Sequence, residues 1–305
     1  MQATILEAIG NTPIIKLNRV GGAAMASIYG KYEAGNPSYS VKDRIALAMI
    51  EDAYARGQIK PSTLIVDATA GNTGVALAMV CAVKKLKLLL FMPEDASLER
   101  RKMFDGFGAK LVLTPQSEGV EGAIKRATKV LQENPDSYSP KQFENPVNPK
   151  AHAENTAVEI LNDFPHGVDA LVLGVGTGGS LTGVGRVLKK KNKNTLIVAV
   201  EPKKSAVISG GISGSHQIQQ LGVGFIPKNL DKSLIDRVIT VDDIEAFQMT
   251  KRLAKEEGML LGISSGANVY AALKIAKELG PKKKVLTFLA DAGQRYFSIE
   301  RYFKE

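Results

Sequence analysis

The sequence has no tryptophan, one cysteine and three histidines among its 305 residues, and each shortage narrows what it can do. A lone cysteine cannot form an internal disulfide, which suits a reducing compartment and a cytoplasmic protein. Cys81 lies in the apolar run "VALAMVCAV" and reads as a small buried hydrophobe. His152, His166 and His216 are far apart and lack ligand spacing, which argues against a metal site and against a histidine-based triad. No apolar run reaches the roughly 18 residues of a membrane span. The opening "MQATILEAIGNTP" lacks the basic and apolar regions of a signal peptide.

Acidic residues are also in deficit, 31 against 40 basic, for a net charge of +9. The surplus gathers at Lys189 to Lys191 and at Lys282 to Lys284. Both clusters fall at a helix end or turn, where cations are favoured and solvated. Neither is accompanied by zinc-ligand spacing or base-stacking aromatics, so no nucleic-acid partner is expected.

What is present is an ordinary globular balance, 44% hydrophobic and 23% charged, at a length that suits about two domains. Apolar runs of strand length alternate with helix-period segments. "TLIVDA" (63–68), "LKLLLFM" (86–92), "KLVLT" (110–114), "ALVLGVG" (170–176), "TLIVAVE" (195–201) and "KKVLTFLA" (283–290) read as buried parallel strands. The alternation predicts an α/β fold with open, mostly parallel sheets and helices on both faces. The Pro- and Asn-rich stretch 134–150 divides two β–α runs and is the predicted boundary. Ligands in such folds bind beyond the carboxyl ends of the strands, which directs attention to the strand–loop–helix junctions.

Three junctions stand out. "GTGGS" (176–180) lets backbone N–H groups approach an anion at a helix N-terminus, with the hydroxyls of Thr177 and Ser180 as further donors. A glycine turn needed only for tight packing is the plain alternative. Gly174, Gly176 and Gly179 also spell G-x-G-x-x-G, and Glu201 closes the next strand, a formal match to a dinucleotide fingerprint. "TAGNTG" (69–74) gathers small polar groups that suit a carboxylate, or else Asn72 or Thr73 caps the following helix. In "GISSGANVYAALKIAKELG", Ser264 or Ser265 can cap a helix, leaving one hydroxyl spare.

A fourth feature is a lysine. In "NPSYSVKDRIALAMIEDAYARG" (36–57), Ala46, Met49, Ile50, Ala53 and Tyr54 form one apolar stripe of a helix. Ser40 is the predicted N-cap, Asp43 completes a capping box, and Gly57 ends the helix. Lys42 therefore sits in the first turn, where the helix dipole disfavours its charged form. A neutral amine there is a nucleophile able to form a Schiff base. A solvent-facing lysine near Asp43 is the alternative.

Taken in order, "NPSYSVKDR", "TAGNTG", "QFENP", "GTGGS", "GVGFIP" and "GISSGA" resemble the cysteine synthase (O-acetylserine sulfhydrylase) and cystathionine β-synthase family. The resemblance runs from "AIGNTPIIKL" to "DAGQRYFS" and displaces the NAD reading. It implies a fold type II pyridoxal-phosphate enzyme, tryptophan synthase β-like, with two three-layer αβα domains. The smaller would span 1–145 and the larger 146–305, with 13–34 crossing into the C-terminal sheet and the cofactor in the cleft between them. Lys42 matches the lysine that forms the internal aldimine, and Asn72 the residue that bonds the pyridine 3′-oxygen. Gly176, Thr177, Gly178, Gly179 and Ser180 match the phosphate loop, and Ser264 the hydroxyl facing the pyridine nitrogen. Thr69, Ala70, Gly71, Thr73 and Gln142 match the positions that hold the substrate carboxylate.

The implied reaction is β-replacement: O-acetyl-L-serine and sulfide give L-cysteine and acetate through an aminoacrylate, in a homodimer. Homocysteine as nucleophile, giving cystathionine from O-acetylserine or serine, is the alternative, and a non-catalytic binding relative is a more remote one. Ala70 stands where many members have serine, an alanine that recurs in a subset with cystathionine β-synthase-like character. It removes a donor and weakens the case for serine acetyltransferase as a partner. Tyr39, Ala290 and Gln294 also depart from the family pattern.

Overall fold

The computed structural model describes residues 2–69, 71–94 and 97–298. In chain order, the named elements are β1 (Ile14–Leu17), β2 (Ser27–Tyr32), α1 (Lys42–Ala55), β3 (Leu64–Ala68), α2 (Asn72–Lys84), β4 (Lys87–Pro93), α3 (Leu98–Gly106), β5 (Lys110–Thr114) and α4 (Gly119–Glu133). They continue with α5 (Val147–Ala151), α6 (Ala157–Asp163), β6 (Ala170–Gly174), α7 (Gly179–Lys191), β7 (Leu196–Pro202), β8 (Arg237–Val241), α8 (Asp243–Glu257), α9 (Ile263–Leu279) and β9 (Lys284–Leu289). The chain divides into two compact units. One contains residues 2–9, 36–147 and 295–298, and the other 10–35 and 148–294.

The first unit is built on a parallel sheet in the order β3-β4-β5. Tyr138 lies alongside β3, accepting from the Val66 N–H and donating to the Leu64 carbonyl, both at 2.9 Å. Helix α2 is buried from Asn72 to Cys81, as its nearly unbroken apolar sequence requires. It packs with the α1 stripe: Ala46, Ile50 and Ala53 join Leu77, Val80 and Leu90 in one core, with Tyr54 partly buried against it. Cys81 belongs to this core, and burial pushes its thiol up to about 12, so it is an unreactive hydrophobe.

Helix α1 ends as the sequence predicts. Gly57 is left-handed at φ 67°, its N–H donates to the Tyr54 carbonyl and that of Gln58 to the Ala53 carbonyl, the paired closure that glycine permits after a helix. The predicted capping box at its start is not formed. Ser40 Oγ accepts from the Lys42 N–H at 3.3 Å, but Asp43 turns to Ser38 instead, accepting from its backbone N–H at 2.6 Å and from its hydroxyl.

Asp67 carries an unusual cost in this unit. It sits in β3, and its Oδ2 has no hydrogen-bond partner among the described residues. Burial raises its carboxyl from 3.8 to about 6 against the opposing Ala68 N–H. A carboxyl raised on folding binds its proton more tightly in the native state, so stability falls as pH rises between those two values. A shift of that size corresponds to on the order of 3 kcal/mol. Asp67→Asn is expected to flatten this decline in urea titrations run from pH 4 to pH 7.

The second unit has a six-stranded sheet, β1-β2-β9-β6-β7-β8, parallel except for the β1–β2 pair. Its β6 and β7 are buried along nearly their whole length, matching their continuous apolar runs. Strands β1, β2 and β8 were not among the predicted strands. Helix α8 starts with a full capping box between Asp242 and Glu245 and ends at left-handed Gly258. Helices α5 and α6 are joined without interruption by a π-helical turn, His152–Thr156. Both basic clusters lie where expected: Lys189, Lys190 and Lys191 in the last turn of α7, and Lys282 in a left-handed turn before β9.

Candidate active site

The loop before α1 places Lys42. Ser38, Ser40 and Asn36 are buried there, and the Tyr39 N–H donates to the Asn36 carbonyl at 2.7 Å, closing a turn. Tyr39 completes that turn in a left-handed conformation, φ 63°, and the residue is 57% exposed. The bulk of Tyr39 therefore points to solvent while its backbone bears the constraint. A β-branched residue tolerates that conformation poorly. Tyr39→Val is expected to lose about 1 kcal/mol of stability and Tyr39→Gly none, read from urea midpoints. Lys42 itself is half-buried, and the Asp43 carboxylate faces Ser38.

The loop from Thr69 to Thr73 connects β3 to α2. Ala70 lies outside the described residues. The expected cap by Asn72 or Thr73 is not made: Gly71 occupies the N-cap position of α2, which has no side-chain cap bond. Both side chains are turned to other partners. Thr73 Oγ1 donates to Gln142 Oε1 at 2.6 Å, bringing together two residues predicted to share the substrate carboxylate. Asn72 Oδ1 accepts from the Arg295 guanidinium. Thr69 Oγ1 accepts from the Gly71 N–H at 3.2 Å.

In the second unit, the glycine loop joins β6 to α7. Gly178 is left-handed at φ 80°, and an added Cβ there would meet the Leu230 backbone at 2.9 Å. A Cβ on Gly176 would lie 2.3 Å from the Gln220 carbonyl oxygen, and one on Gly179 would lie 1.8 Å from Asn148 Oδ1. These glycines are required by their close neighbours. Asn148 also donates to Thr177 Oγ1 at 3.0 Å, and Ser180 Oγ lies 3.0 Å from Nε2 of buried His152. The loop is thus braced from behind by the α5–α6 segment. Asn148 and His152 carried no signal in the sequence, because only the fold brings that segment beneath the loop.

The expected serine cap of α9 is also not made. Gly262 is its N-cap residue, and Ser265 Oγ accepts from the Ala290 N–H at 2.9 Å. Ser264 is 1% exposed, and its Oγ has no hydrogen-bond partner among the described residues. A buried hydroxyl without a partner is uncommon and calls for a ligand or water. Asn268, one turn further along α9, accepts from the Gly174 N–H at 2.7 Å and so ties this helix to the strand that feeds the glycine loop.

Glu201 has no role in binding a ribose here. Its carboxylate is buried and accepts from the backbone N–H groups of Ile208 at 2.8 Å and Ser209 at 3.1 Å, and from the Ser209 hydroxyl. No group of His, Cys, Asp and Glu among the described residues could hold a metal ion.

The family model described as pyridoxal-phosphate dependent enzyme matches residues 5–291. The chain belongs to that family. It is 52% identical over 299 residues to a cysteine synthase of Staphylococcus aureus, covering 98% of this chain and 96% of the relative. The structure of a cysteine synthase from Entamoeba histolytica superposes with a TM-score of 0.96 at 38% identity, covering 100% of this chain and 92% of the other. An O-acetylserine dependent cystathionine β-synthase from Helicobacter pylori superposes with a TM-score of 0.91 at 40% identity, covering 98% of each.

The residues present fit the cofactor of a pyridoxal-phosphate dependent enzyme. A glycine loop at the start of α7 offers backbone N–H groups and a helix dipole to a phosphate. The unsatisfied Ser264 hydroxyl suits a ring nitrogen, which a hydroxyl can serve without supplying the charge of a carboxylate.

Proposed function

We propose that this member of the pyridoxal-phosphate dependent family replaces the acetoxy group of O-acetyl-L-serine with sulfide, giving L-cysteine and acetate. The observation that carries the reading is Ser264, whose buried hydroxyl has no partner among the described residues and suits a ring nitrogen. A hydroxyl there leaves the ring a moderate electron sink, enough to expel a group from Cβ. The bound cofactor supplies that sink.

The protein's part is attachment, orientation and proton transfer. Lys42 would hold the cofactor, and its freed amine would remove the Cα proton before acetate leaves and return it to Cα once the Cβ–S bond has formed. Gly176, Thr177, Gly178, Gly179 and Ser180 hold the phosphate, and Asn72 holds the ring 3′-oxygen. Thr69, Ala70, Gly71, Thr73 and Gln142 hold the substrate carboxylate, with the Thr73–Gln142 bond at 2.6 Å fixing two of them relative to each other. The Cβ–O bond breaks as acetate leaves, and a Cβ–S bond forms from sulfide. We place this chemistry in a cytoplasmic homodimer. No helix among the described residues is long and apolar enough to cross a membrane.

Homocysteine as the nucleophile is the second reading, favoured by Ala70 and by the likeness to the Helicobacter pylori protein. The test supplies O-acetylserine to the holoenzyme and compares kcat/KM for the two thiols. A higher value for sulfide is expected. A higher value for homocysteine would make cystathionine the product and overturn the first reading.

A further inference from the structure

We propose that Arg295 is a positioning residue for the cofactor, acting through Asn72; the inference rests on the reading that Asn72 meets the 3′-oxygen of the ring. Arg295 is 2% exposed, and its Nη1 donates to Asn72 Oδ1 at 2.5 Å. A guanidinium has donors only. The amide of Asn72 can therefore face Arg295 with one edge alone, its oxygen. The amide NH2 group is directed to the opposite side, which converts an ambiguous amide into a defined donor. A donor is what an anionic ring oxygen needs, and a flipped amide would present oxygen to oxygen.

The arginine is itself held. Ser97 Oγ, on the residue that caps α3, shares its one proton between Glu99 Oε2 at 2.7 Å and the Arg295 carbonyl at 3.2 Å. Tyr296 is fully buried, with the Arg100 guanidinium 5.1 Å from its ring centroid. Glu99 accepts from the Ser298 N–H at 2.6 Å and from its hydroxyl at 2.7 Å. Ser97, Glu99 and Arg100, at the start of α3, thus fasten the segment 295–298 that carries the guanidinium. Such backing is how a site keeps a contact within the tolerance that chemistry requires.

The test is a double-mutant cycle read by cofactor affinity and by the visible absorption band of the holoenzyme. Asn72→Ala and Arg295→Met are each expected to weaken pyridoxal phosphate binding about tenfold, the scale of one charge-assisted hydrogen bond, and to shift the band. The double variant is expected to be no weaker than Asn72→Ala alone. Arg295→Lys, which keeps the charge, is expected to restore part of the affinity and serves if Arg295→Met does not fold. Asn72→Asp is expected to keep its bond to Arg295 and the thermal midpoint while losing affinity, because it has no donor. Additive losses in the double variant would overturn the positioning role and leave Asn72 at the ring. An Asn72→Ala variant with unchanged affinity and band would instead overturn the placement of Asn72, and the role of Arg295 with it.

Discussion

Replacing Lys42 with alanine is expected to abolish covalent attachment of the cofactor and to lower kcat by at least about 10³-fold, the scale on which a base and a covalent anchor act together. The fold should survive. Ser40 Oγ bonds the backbone N–H of residue 42, which the substitution keeps, and the other end of α1 is closed by Gly57. The urea midpoint should therefore move by no more than about 0.5 kcal/mol, as for a substitution outside the core. Borohydride reduction followed by mass spectrometry is the direct measurement. It should fix the cofactor mass on the peptide containing Lys42 in the parent and on none in the variant. Lys42→Arg should be equally inactive, since a guanidinium does not give up its proton near neutral pH. Retention of activity in either variant would remove Lys42 from the mechanism.

The second large effect belongs to Gly179. A methyl group there would sit 1.8 Å from Asn148 Oδ1 and 2.5 Å from its Cγ. Asn148 is fully buried and braces Thr177, so it cannot yield without releasing the loop. Overpacking of this kind costs about 1–3 kcal/mol. Directed at the loop, that cost should weaken cofactor binding by about 10- to 100-fold. Gly185→Ala is the matched control, in the same helix, where a Cβ would have its nearest contact at 3.7 Å. It should bind the cofactor as the parent does. Titration of apoprotein with pyridoxal phosphate separates the two. Equal affinities would mean that the glycines serve packing alone.

How legible the molecule was depends on the range of the interaction. Strands β3, β4, β6, β7 and β9 could be read directly, because a buried strand is largely apolar; β5 has the same apolar look but is exposed at Lys110, Val112 and Leu113, so its expected burial is not met. Strand β2 could not be read this way. Its sequence SIYGKY contains Lys31, which is buried and paired with Glu159 at 2.7 Å. A charge compensated by a residue so distant in sequence looks like surface when read locally. Strand β1 is four residues long, and β8 opens on exposed Arg237. The helix starts were misread for a related reason. Serine, asparagine and threonine before a helix are capping residues by default, yet Asn72, Thr73 and Ser265 are engaged by Arg295, Gln142 and Ala290. Lys42 and the glycine loop were visible because their chemistry is written in adjacent residues. Arg295, Asn148 and His152 were not, because each acts on a loop far away along the chain.

The position of β9 has a consequence for synthesis. It lies between β2 and β6 in the six-stranded sheet, although it is the last of that sheet's six strands in chain order. Until residue 289 has left the ribosome, β1–β2 and β6–β7–β8 are separate edges with no common neighbour. Contacts between such distant segments form slowly, and open edges attract other chains. The nascent protein therefore completes β6–β7–β8 while β2 and β6 still lack the strand that joins them. A stop codon shortly before β9 should yield an aggregating product rather than a smaller folded one.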